Sequence, residues 1–77
     1  TPEFTARTVP AALLSAHHLA PGVWGRLVVL EATVTYHLEE TGDSRRVHSG
    51  QRQVIEPEVV HHVEPGPESR FLVEFHR

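Results

Sequence analysis

Apolar residues alternate with polar ones through the middle of the chain: Val28, Leu30, Val34, Tyr36 and Leu38 hold even positions on either side of a break at Glu31-Ala32. A period of two marks a half-buried strand, so this segment predicts two strands joined by a tight turn. Glu39 to Ser44 is polar and contains Gly42, the chemistry of a hairpin loop, and a third strand follows over Arg45 to His48. Ser49-Gly50 turns the chain. Gln53-Val54-Ile55 and Val59 to Val63 read as short strands interrupted by Pro57, which cannot donate to a ladder. Pro65-Gly66-Pro67 forms a loop leading into a last strand, Arg70 to His76. The one helical candidate is Pro10 to Ala16, with proline at a tolerated first position and alanine and leucine behind it. About six short strands with frequent turns predict an all-β fold, a sandwich or a barrel. No repeat or shift in composition divides residues 1–77, so a single domain is expected.

At 77 residues the core is thin, since a chain this short buries only about 60–65% of its unfolded surface. There is no cysteine, hence no disulfide to compensate. Closed β-pairing, a bound metal or a homodimer is the expected source of added stability. No apolar run approaches the length of a membrane span and no charged-then-apolar leader is present, so the expectation is a cytoplasmic protein with no membrane partner. The net charge is −3, and the seven arginines, unaccompanied by lysine, are scattered rather than gathered on one stripe. No nucleic-acid partner is expected from that distribution. Seven histidines are also present, but a bias that replaces lysine by arginine favours histidine too, so number alone assigns none of them a role.

Strand parity ranks the histidines better than counting does. His61 shares its parity with Val59 and Val63 and points inward; His62 goes with Val60 and Glu64, and His37 with Thr33 and Thr35, both outward. His48 lies beside a turn. His17 and His18 precede Gly22-Val23-Trp24, where a loop can fold either ring over the end of the sheets. Imidazole nitrogens suit zinc, iron and nickel, and an open site offers three protein ligands with a position left for water or substrate. Glu74 is the carboxylate candidate for a third ligand, although its parity sets it with Leu72 and His76, opposite Phe71, Val73 and Phe75. Trp24 is suited to a pocket wall and Arg26 to an anionic ligand, through its planar fork.

Gly50, Glu56, Glu58 and His61 fall at the spacings of the second cupin motif, G-x5-P-x-G-x2-H-x3-N, and Val28-Val29-Leu30-Glu31-Ala32 resembles the end of the first. Over nearly the full chain the order Val9-Pro10, Leu13-Leu14, His17, Gly22 to Leu27, Leu30-Glu31, Glu56 to His61, Val63-Glu64 and Phe71 to Phe75 is similar to one branch of that superfamily. This is the small domain shared by YeaR-type proteins and the N-terminal part of tellurite-resistance methyltransferases of the TehB type. Ala32 stands where a glycine is usual, and Glu58 and Pro65 replace the glycine and asparagine of the second motif. The resemblance implies a small cupin-like β-barrel of the jelly-roll type. It implies a divalent transition metal, zinc, iron or nickel, held by His17 and His61; from the residues themselves, Glu74 or His18 is the candidate to complete the set, and His18, Trp24 and Arg26 are the candidates for a ligand pocket. Its spacing selects His17, whereas an ungapped first motif read back from Ala32 selects His18. Gly25 and Arg26 stand where first-motif cupins carry a glutamate ligand.

Two functional readings stand together. In one, the barrel is a metal-dependent site for a small anionic or oxidised ligand, acting as an enzyme or as a sensor in tellurite, oxyanion or nitrosative stress. In the other it is a non-catalytic dimerisation or interaction module without a metal. Ordinary hydrolysis finds no support, since Ser15, Ser44, Ser49 and Ser69 lie in no nucleophile elbow. No phosphate loop or dinucleotide fingerprint occurs, and no methyltransferase segment is included.

Overall fold

The computed structural model describes residues 1–77, and its strands follow the alternation closely. In chain order the elements are β1 (Phe4–Thr5), α1 (Ala11–Leu14), β2 (Trp24–Glu31), β3 (Thr33–Leu38), β4 (Ser44–His48), β5 (Arg52–Ile55), β6 (His61–Pro65) and β7 (Arg70–His76). A four-stranded sheet in the order β1-β7-β2-β5 packs against a three-stranded sheet in the order β4-β3-β6, with every pairing antiparallel. The all-β single domain is as expected, but the closed barrel is not formed. No pairing joins the edge of one sheet to the edge of the other, so the molecule is a two-layer sandwich with open seams. No helix is long and apolar enough to cross a membrane.

The inward faces meet in one cluster: Leu27, Val29, Ile55, Phe71 and Val73 from the larger sheet, and Val34, Tyr36, Val47 and Val63 from the smaller. Within each strand these lie two apart on one face, but on β2 that face is the odd one, Leu27 and Val29, and not the Val28 and Leu30 that the even-numbered alternation marked. Phe4 of β1 pairs with Phe71 across the ladder and meets its ring edge to face at 5.9 Å, which extends the core to the N-terminal strand.

The chain crosses from one sheet to the other at Ala32, whose φ of 55° lies in the left-handed region, and a second non-glycine residue, Glu58, has φ 65°. Each is pinned by a backbone hydrogen bond, Ser49 N–H to the Ala32 carbonyl at 2.9 Å and Glu58 N–H to the Leu19 carbonyl at 2.9 Å. A side chain at such a backbone angle costs on the order of 1–2 kcal/mol. The turn at Pro57-Glu58 also explains why β6 starts at His61 rather than at Val59.

Candidate functional site

His61 opens β6 with its ring turned into the sandwich, and only 1% of the residue remains exposed. Leu38 of β3 is its partner on one side. On the other side His17 forms an isolated antiparallel bridge, with His17 N–H donating to the His61 carbonyl at 3.0 Å and His61 N–H to the His17 carbonyl at 2.8 Å. The segment after α1 therefore covers the free edge of β6 and lays the two rings together, with centroids 4.2 Å apart and planes tilted by 58°. Tyr36, inward on β3, has its ring centre 5.4 Å from that of His61.

Both rings are oriented by the backbone. The Nδ1 of His61 lies 2.9 Å from the Val59 carbonyl and the Nδ1 of His17 lies 3.2 Å from the Ser15 carbonyl. A carbonyl only accepts, so each Nδ1 carries the proton in this arrangement and each Nε2 is left as a lone pair. Neither Nε2 has a hydrogen-bond partner in the chain, and no fully enclosed side-chain nitrogen or oxygen lacks one, so the His61 Nε2 keeps a narrow opening to solvent. Burial lowers the His61 pKa below the ordinary histidine value, with the His17 and His62 rings acting in the same direction against the Val59 carbonyl and Glu39. His61 is thus a neutral base at pH 7.

Beside Tyr36 a pocket of about 140 Å³ opens at the seam between the sheets, lined by Tyr36, Leu38, Gln53, Val54, Glu56 and Val59. Burial, and next the Glu56 carboxylate, raise the Tyr36 pKa, which keeps its hydroxyl protonated as a donor. The sequence reading gave Tyr36, Gln53 and Glu56 no role in a site. The signal for Tyr36 was present in its parity with Val34 and Leu38, because an inward tyrosine in a thin core must bring its hydroxyl to the rim.

The other expected site residues lie elsewhere. His18 is exposed and bonds to nothing in the chain, so His17 rather than His18 meets His61. Glu74 faces outward from β7, opposite Arg26 of β2, and accepts from its Nε at 2.8 Å, with Nη2 in ion-pair contact at 2.8 Å. Trp24, nearly half exposed, shares that outer face. No group of three or more His, Cys, Asp or Glu side chains converges as a metal centre. What the chain brings together is two imidazoles, each oriented by a backbone carbonyl.

A family model described as the TehB-like domain matches residues 1–73. The chain belongs to the TehB-like domain family. A crystal structure of a protein from Escherichia coli strain K12 superposes on this TehB-like domain with a TM-score of 0.90 at 27% identity, covering 97% of this chain and 82% of that one. The crystal structure of TehB from Haemophilus influenzae gives a TM-score of 0.87 at 25% identity, over 97% of this chain but only 28% of TehB. Comparison with the curated proteins finds no match. The link to the tellurite-resistance branch drawn from the residues therefore stands at the level of the domain family.

Proposed function

We propose that this TehB-like domain binds a divalent transition metal, zinc, iron or nickel, through the Nε2 atoms of His17 and His61. The observation that carries the reading is the shared tautomer: each ring is anchored through Nδ1 to a backbone carbonyl, the arrangement by which proteins orient metal-binding histidines. Because burial keeps His61 neutral, the ligand lone pair is available at pH 7 without competition from a proton. A bound metal would supply Lewis acidity and open positions for a small anionic or oxidised ligand, while Tyr36 offers a hydroxyl donor at the neighbouring pocket.

We further propose that the sandwich is a reduced cupin jelly roll. Support comes from Ala32 and Glu58, which occupy glycine positions of the cupin-type motifs and are the chain's two non-glycine residues with positive φ. The motif's glycines answer a backbone demand, and this chain keeps the backbone while changing the residue.

The test is metal-dependent stabilisation of protein stripped with a chelator. A metal at about a hundred times its Kd adds about 2.7 kcal/mol, or a rise of more than about 10 °C in Tm for a domain of this size. His17→Gln and His61→Gln are expected to abolish that rise and His62→Gln to retain it. Equal loss in all three, or no shift with any of the metals, overturns the proposal. The non-catalytic interaction reading is favoured by a separate observation, the half-exposed Trp24, Val54 and Phe75 on the larger sheet.

A further inference from the structure

β5 is an edge strand whose outer side is unpaired. It pairs only with β2, in the register Leu27 with Gln53 and Gly25 with Ile55, and Val29 N–H donates to the Gln51 carbonyl on the same side. Because backbone groups alternate along a strand, Gln51, Gln53 and Ile55 bond to β2, while Arg52 and Val54 turn their N–H and C=O groups to the free edge. The side-chain contacts agree: Arg45 Nη1 donates to the Arg52 carbonyl at 3.2 Å and Gln53 Nε2 to the Val54 carbonyl at 2.8 Å. Those exposed side chains occupy the outward carbonyls and leave the outward amides of Arg52 and Val54 without a protein partner.

The residues along this edge are complementary to themselves. Val54 is apolar and 52% exposed. Arg52 lies two positions before it and Glu56 two after, and both are exposed charges that form no ion pair in the chain. Pro57 favours an extended backbone at Glu56 and so continues the line of β5. In an antiparallel pairing of two copies about Val54, Val54 opposes Val54, and each Arg52 opposes Glu56 of the other copy. All the residues that face the edge then fall in hydrogen-bonded pairs, so register, backbone polarity and charge agree on one alignment.

We propose that β5 is a self-recognition strand through which two copies of this chain join their larger sheets into one continuous antiparallel sheet. Backbone amides of the second copy replace Arg45 and Gln53 at the Arg52 and Val54 carbonyls, and the closed edge offsets the small core.

The charge pairs supply the test, because Arg52 and Glu56 are exposed and their reversal leaves the core untouched. The dimer dissociation constant is measured by sedimentation equilibrium from about 1 µM to about 1 mM, with circular dichroism confirming the fold. Arg52→Glu and Glu56→Arg each set like charges opposite one another twice per dimer, an expected weakening of about tenfold or more. The double variant Arg52→Glu/Glu56→Arg restores wild-type affinity. Mixing the two single variants yields a heterodimer tighter than either homodimer, which a folding defect does not produce. A wild-type protein that stays monomeric to about 1 mM overturns the proposal, as does a dimer indifferent to the reversals.

Discussion

Replacing His61 by phenylalanine should flatten the dependence of stability on mildly acid pH. In the native protein the ring is almost wholly enclosed, and burial holds its pKa below the ordinary histidine value of about 6.5. The unfolded chain takes up a proton at that ordinary value while the folded chain does not. Stability at His61 is therefore full above about pH 6.5 and is lost as the pH falls toward the lower folded-state pKa. The slope approaches about 1.4 kcal/mol per pH unit, and integrating between pH 6.5 and 5.5 gives a loss of about 1 kcal/mol if the native ring stays neutral throughout. For a domain of this size that is a fall of roughly 4–8 °C in Tm. Phenylalanine has similar bulk and does not titrate, so every other group cancels when wild type and His61→Phe are compared. The assay is thermal or urea unfolding of both proteins at pH 7.5, 6.5 and 5.5 with a chelator present. Parallel losses in the two proteins would refute the argument that the buried ring is neutral.

At the two strained turns, Ala32→Gly and Glu58→Gly should each stabilise the domain, because release of about 1–2 kcal/mol of left-handed strain exceeds the roughly 0.5–1 kcal/mol entropic cost of a glycine. A lower urea midpoint in either variant would contradict that reasoning. On the outer face, Glu74→Ala should cost no more than about 1 kcal/mol, since the pair it forms with Arg26 is about 40% exposed on both sides, and it should leave metal-dependent stabilisation unchanged. Loss of the metal response in Glu74→Ala would return Glu74 to the ligand set.

What the sequence disclosed was the part governed by local periodicity. β2, β3, β4 and β7 lie close to where the residue pattern placed them, and the inward Val34, Tyr36 and Val63 follow from parity, whereas parity left the inward face of β7 open and the even positions of β2 marked the face opposite to Leu27 and Val29. The two-residue β1 was not foreseen because Phe4–Thr5 is too short to show a period, and only the Phe71 edge gives it a partner. Sheet closure was equally out of reach, since whether β5 meets β4 depends on sheet twist and stagger, which no single strand encodes. The same limit governed the third ligand. Two histidines and a carboxylate form a plausible set in one dimension, but the β2–β7 register puts Glu74 opposite Arg26, and that cross-strand pairing is a tertiary fact.

His61 carries two roles that a simple deletion would confound. Its ring fills the core beside Tyr36 and its Nδ1 satisfies the Val59 carbonyl, so His61→Ala would leave a cavity and an unpaired acceptor whether or not a ligand binds. His17 separates the two. It joins β6 through its backbone, which any residue except proline can supply, and its ring is only half-buried. His17→Gln should therefore preserve the bridge to His61 and most of the stability while removing one of the paired Nε2 lone pairs. A metal response that disappears with His17→Gln at unchanged metal-free stability assigns the function to the pair of rings. A fall in metal-free stability without such a response assigns them to packing alone.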